Sequence, residues 1–168
     1  MISSRFRLAG VLPALLVASA ALAGGAHDEG PVGEPGEAAL VTRTINVDMT
    51  DNMRFAPAEI TVRQGETVRF VVSNSGAVKH ELVLATPAEL KEHYALMMKS
   101  PGMEHADDNM VTVMPGQKGE IVWRFTKFGK VDFACLQPGH FDAGMKGFVT
   151  VAQKAGPAKR EGHAGHAH

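Results

Sequence analysis

Apolar and polar positions alternate with a period of two through most of the middle of the chain. Residues 44–49 place Ile45 and Val47 on one face, and residues 67–73 do the same with Val68, Phe70 and Val72. Residues 120–126 align Ile121, Trp123 and Phe125, and residues 131–135 align Val131, Phe133 and Cys135. Shorter runs at 59–63, 81–85, 110–114 and 147–151 read as further strands. Such alternation sends successive side chains to opposite faces of a half-buried strand. Gly, Pro and Asn punctuate the runs every 8–12 residues or so, which predicts an antiparallel β-sandwich.

One segment departs from this period. Thr86-Pro87-Ala88-Glu89 has the form of a capping box with proline at the first helical position, so the pattern predicts a helix from there to about Lys99. Pro101-Gly102 ends it.

The two ends are of different character. Residues 1–23 carry Arg5 and Arg7, then an apolar stretch, then Ala21-Leu22-Ala23, and read as a signal peptide with a small-x-small cleavage site. The apolar stretch is short for a membrane span and holds Pro13 near its middle, so the mature protein is expected to have no membrane span. The expected destination is the periplasm. Residues 24–39 are rich in Gly, Pro and Glu and read as a flexible linker, and residues 153–168 as a disordered tail with three histidines. Residues 40–152 remain as one domain.

Composition narrows the function. A chain of 168 residues with 45% hydrophobic and 21% charged positions suits a single globular domain with tails. The formal net charge of −1 leaves no electrostatic footprint for nucleic acid. The single cysteine excludes an intrachain disulfide, and an exported lone thiol is a liability unless something occupies it. Eight histidines and nine methionines are many for this length, so their positions matter.

The informative stretch is Cys135-Leu136-Gln137-Pro138-Gly139-His140-Phe141-Asp142-Ala143-Gly144-Met145. On a helix, a spacing of five turns the side chain by about 500°, so the thiol, imidazole and thioether would point three ways. Pro138-Gly139 forbids a helix here in any case. A loop after a strand ending at Cys135 can gather all three at one end of the sandwich. One thiolate, one imidazole and a weak thioether suit copper: two His, one Cys and a long axial Met form the blue-copper arrangement. The second histidine must come from elsewhere, and His80, directly before an apolar strand, is the best candidate. Zinc more often takes four strong ligands, and no Cys-x2-Cys knuckle is present.

These residues resemble the cupredoxins, the plastocyanin, azurin and pseudoazurin group, through the Cys135-x4-His140-x4-Met145 loop and the upstream His80. The fuller pattern is similar to a periplasmic copper-tolerance branch of that family. It includes Asn52-Met53-Arg54-Phe55-Ala56-Pro57, Lys79-His80-Glu81-Leu82-Val83-Leu84 and Pro138-Gly139-His140-Phe141. The resemblance implies a Greek-key β-sandwich of about seven to eight strands with one inserted helix. It implies one type 1 copper site cycling between Cu(I) and Cu(II), with His80, Cys135 and His140 equatorial and Met145 axial. Many cupredoxins carry Asn directly after the first histidine. Glu81 stands there in this chain, and its backbone N–H remains available to the Cys135 sulfur.

A second cluster consists of Met97, Met98, Met103, His105, Met110 and Met114, with His93 one helical turn before Met97. Thioethers and imidazoles suit Cu(I), so Met98, Met103, His105 and Met110 are candidates for additional weak copper binding. The competing reading is that methionines fill the gap between a helix and the sandwich. His27, His163, His166 and His168 are either weak accessory ligands or solvated tail residues.

The expected function is a monomeric copper-binding redox protein, not an enzyme, serving copper handling and tolerance. Its expected partners are the copper ion and a redox or copper-transfer protein. A dedicated electron carrier between respiratory or reductase partners is the alternative. A Cys/His enzyme is the rival of another class, but Cys135 lacks an identifiable orienting partner for its base. A copper oxidase would need several more His-x-His pairs than the single one in the tail.

Overall fold

The computed structural model describes residues 32–100 and 106–154. The predicted signal peptide, residues 101–105 and nearly all of the histidine-bearing tail lie outside the described residues.

Among the described residues, ten strands and one α-helix form the domain: β1 (Glu34–Pro35), β2 (Arg43–Thr50), β3 (Arg54–Ala56), β4 (Glu59–Arg63), β5 (Thr67–Asn74), β6 (His80–Ala85), α1 (Pro87–Lys99), β7 (Met110–Val113), β8 (Lys118–Arg124), β9 (Gly129–Ala134) and β10 (Lys146–Ala152). They make two five-stranded sheets, β1-β8-β5-β2-β3 and β4-β10-β9-β6-β7. The expected all-β sandwich with one inserted helix is therefore present, with ten strands where about seven to eight were expected. The extra two are short. β3 follows a tight turn, and β1 belongs to the segment expected as a linker. From Val32 onward that segment lies on the domain. Trp123 Nε1–H donates to the Val32 carbonyl at 3.0 Å, and Arg124 pairs with Glu34 at 2.8 Å. The Gly- and Pro-rich composition concealed this, because the contacts are made by backbone and by partners some ninety residues away.

The sheets are mixed and not purely antiparallel. β2 pairs with β5, and β4 with β10, in parallel. Between β2 and β5 the chain crosses to the other sheet to form β4, so it returns to the first sheet running the same way.

Val47, Val68, Phe70, Phe125, Phe133 and Val149 fill the space between the sheets. β6 is buried along its whole length. Leu82 and Leu84 face the inter-sheet core, while Val83 and Ala85 face α1. That double burial explains why this run is apolar without alternation. α1 lays Leu90, Tyr94 and Met97 over the sheet, the three-and-four spacing of a helix with one inward face. Its start is the expected capping box: the Glu89 N–H donates to Thr86 Oγ1 and the Thr86 N–H donates to Glu89 Oε2. Such a cap stabilises a helix by about 1 kcal/mol. Among the described residues no helix is long and apolar enough to cross a membrane.

Candidate metal centre

β6 and β9 run antiparallel with Val83 opposite Ala134. Continuing that register brings the start of β6, His80 and Glu81, level with the residues just past β9. The chain leaves β9 at Cys135 and returns into β10 after Met145. The Cys135 N–H donates to the Met145 carbonyl at 3.1 Å and the Met145 N–H to the His140 carbonyl at 3.0 Å. The excursion 135–145 is thus a closed loop. Its turns use Gly139 and Gly144, at φ of +83° and +89°, where a side chain would be strained.

The loop delivers Cys135 and His140 to His80. Cys135 Sγ lies 3.3 Å from His140 Nδ1 and 3.9 Å from His80 Nδ1, and the two Nδ1 atoms are 3.1 Å apart. The point equidistant from these three atoms is about 2 Å from each, the length of a metal–imidazole bond and slightly less than a metal–thiolate bond of about 2.3 Å. A set of one sulfur and two ring nitrogens at that spacing fits one metal ion. Met145 is fully buried in the same core cluster as Cys135. His80, the first residue of β6, is fully buried.

Neighbouring residues fix these groups. The Glu81 N–H donates to Cys135 Sγ at 3.4 Å, as its sequence position allowed. The Glu81 carboxylate is 1% exposed and accepts from the Leu136 N–H at 3.0 Å and from Gln137 Nε2 at 2.8 Å. His80 Nε2 lies 3.1 Å from Asp51 Oδ1, which leaves Nδ1 turned to the centre. Arg54, beyond the same turn, donates to the Ala143 carbonyl at 3.1 Å. Tyr94 of α1 reaches the loop from the other side. Its hydroxyl accepts from the Gly139 N–H at 3.1 Å and donates to Asp142 at 2.8 Å, and its ring stacks on Phe141. Sequence reasoning missed Asp51 and Tyr94. Asp51 looks like any turn former beside Asn52, and Tyr94 like any inward-facing helical aromatic.

The electrostatics follow from burial. Burial pushes the Cys135 thiol up to about 12, against the pull of the Glu81 and Gln137 N–H groups, and the Glu81 charge adds a smaller push upward. Burial, then the neighbouring His80, holds His140 below the usual imidazole range. Hydrogen bonding from the Ala77 N–H, then His80, holds Asp51 below the usual carboxylate range. Cys135, His80 and Met145 are closed off from solvent, whereas Pro138 and Gly139 are exposed and His140 is half-buried. The side chain nearest to solvent is therefore the loop histidine.

Among the described residues, the second methionine and histidine group is divided between the space beneath α1 and exposed positions. Met110, at the head of the strand expected over 110–114, begins β7 and packs with Met97, Leu90 and Tyr94 beneath α1. Met98 is 51% exposed on the outer side of the helix. Met103 and His105 lie outside the described residues.

Residues 41–152 match the family described as copper binding proteins, plastocyanin/azurin family. The chain belongs to this family. Copper is accordingly the metal for this cupredoxin. It is 58% identical over 127 residues to a copper-resistant cuproprotein, CopI, of Rubrivivax gelatinosus, covering 75% of this chain and 77% of that one. It is 36% identical to the protein of the same name from Pseudomonas aeruginosa, covering 84% of this chain and 96% of that one. In fold, this cupredoxin is similar to the dithionite-reduced auracyanin of Roseiflexus castenholzii, with a TM-score of 0.58 at 24% identity over 67% of this chain and 98% of that one. It is also similar to auracyanin B, with a TM-score of 0.59 at 20% identity over 73% of this chain and 96% of that one.

Proposed function

We propose that this cupredoxin holds one type 1 copper ion through His80, Cys135, His140 and Met145 and serves copper handling in the periplasm. The observation that carries the reading is the meeting of Cys135 Sγ with the two Nδ1 atoms of His80 and His140 at separations that suit a single ion. The bound metal supplies one-electron chemistry between Cu(I) and Cu(II). The chain's residues do the rest. Cys135 gives up its proton to become a thiolate ligand. The buried position of His80, Cys135 and Met145 excludes water, and the closed loop keeps the ligands in place across a change of charge. The copper-resistance names of the relatives favour copper tolerance as the purpose.

A second reading, a dedicated electron carrier, is favoured by the half-buried edge of His140, which offers a short route from the centre to a partner. In both readings the protein acts as a monomeric carrier and not as an enzyme. The test of the shared reading is Cu(II) addition to the metal-free protein. An intense visible absorption is expected, with its loss in Cys135→Ser. Absence of that band in the unsubstituted protein overturns the assignment. Copper sensitivity of a deletion strain, against turnover as donor to a reductase, separates the two roles.

A further inference from the structure

We infer that the buried Glu81 carboxylate is a fixed negative charge that biases the bound copper towards its cupric state. The inference rests on the copper assignment above and concerns a residue that is not itself a ligand.

Glu81 sits between the two halves of the centre. It follows His80 on β6 and faces the backbone after Cys135. Its Oε1 accepts the Leu136 N–H and its Oε2 accepts from Gln137 Nε2. Both oxygens act as acceptors, which is the bonding pattern of an ionised carboxylate. Both donors are uncharged. The same residue's N–H touches the Cys135 sulfur. The carboxylate is 1% exposed, so solvent screens it little.

Positioning alone does not require that charge. An amide at position 81 would still accept the Leu136 N–H, and the Gln137 amide could turn to present its oxygen to it. Burying a carboxylate costs more than burying an amide. A charge retained at this cost has a physical consequence at the centre. One-electron reduction takes one unit of positive charge from the site, while the Cys135 thiolate and Glu81 keep theirs. A nearby buried anion therefore stabilises the oxidised state more than the reduced one. Glu81 is on this account a positioning residue for the Cys135 side and a tuning charge for the metal.

The test is a potentiometric titration, with a one-electron reductant, of the copper-loaded protein and its Glu81→Gln, Glu81→Asn and Glu81→Asp forms. At an effective dielectric near 20, the two amide variants are expected to favour Cu(I) over Cu(II) by at least about tenfold more than the parent. A tenfold change is a rise of about 59 mV. Glu81→Asp keeps the charge and is expected to stay within about threefold of the parent. Amide variants with the visible band intact and the parent's potential overturn the inference. So does a Glu81→Asp potential that moves with the amides, since reach and not charge is then decisive. If only carboxylate-bearing forms fold and take up copper, the group belongs to the fold, and the inference again fails. Failure of the parent protein itself to form a Cys135-dependent band is a different result, and strikes the copper assignment instead.

Discussion

Asp51 grips the imidazole of His80 from behind. Its Oδ1 lies 3.1 Å from Nε2, while Nδ1 of the same ring faces Cys135 and His140. A carboxylate at Nε2 keeps the proton there and leaves the Nδ1 lone pair free for a metal. Asp51 is itself anchored, since its Oδ2 accepts the Ala77 N–H at 2.7 Å. The turn between β2 and β3 and the strand that follows it thus act on the centre together, through Asp51 on His80 and through Arg54 on the 135–145 loop.

Removing that support weakens metal binding without removing a ligand. Asp51→Ala is expected to lower copper affinity about 10- to 100-fold, the usual effect of losing a hydrogen-bond partner behind a metal-bound histidine. Asp51→Asn retains an oxygen and is expected to lose less. Competition against a chelator of known affinity measures both. An affinity unchanged in Asp51→Ala shows that the ring is held by packing alone.

Tyr94→Phe deletes one hydroxyl and, with it, two hydrogen bonds to the ligand loop. At about 0.5–1.5 kcal/mol for each bond, the metal-free domain is expected to lose about 1–3 kcal/mol. Denaturant unfolding of the metal-free protein reads this loss directly. Stability equal to the parent's would mean that the Gly139 N–H and Asp142 find water at no cost.

The Cys135 thiol makes the metal-free fold sensitive to alkali. Its folded value of about 12 stands above the ordinary 9.0. The stabilisation from keeping it protonated is complete below pH 9 and is lost as pH rises from there towards 12. The slope is about 1.4 kcal/mol for each pH unit in that window. Melting the parent and Cys135→Ser side by side between pH 8 and 10.5 isolates this contribution from other titrating groups. Parallel curves for the two proteins contradict it. On the proposed assignment, the same raised thiol means that copper uptake at neutral pH is expected to release a proton from Cys135.

Met110 and Met98 are expected to respond in opposite ways. Met110 is 8% exposed beneath α1, and Met110→Ala is expected to cost about 2–4 kcal/mol, as for other buried methionines. Met98 is 51% exposed, and Met98→Ala is expected to change stability by less than about 0.5 kcal/mol. Chemical denaturation of the two variants checks both. A large loss for Met98 shows that its side chain is packed in a way its exposure does not reveal.

The fold was largely legible because its signals are local. Eight of the ten strands could be read from the sequence, four by clear period-two alternation and the rest, β6 among them, as short runs, and the start of α1 follows from four consecutive residues. β1 was not legible, because its pairing with β8 depends on a chain folding back over a long separation. The ligand loop could be read because Cys135, His140 and Met145 lie in one short stretch, and the donor chemistry of that stretch alone points to copper. Asp51, Tyr94 and the carboxylate contacts of Glu81 could not be read in this way. They act across 29, 48 and 55 residues of chain respectively.

By itself, the sequence determined the β-sandwich class and the inserted helix and singled out the residues proposed as metal donors, because alternation, caps and donor spacing are written in neighbouring residues. The tertiary structure alone decided which carboxylate braces His80, which hydroxyl clamps the loop, and that Glu81 is buried against the cysteine end. It also decided that Met110 packs inward while Met98 faces out. These outcomes depend on sheet order and register, which place distant residues within hydrogen-bonding reach. No pattern of adjacent positions encodes that proximity.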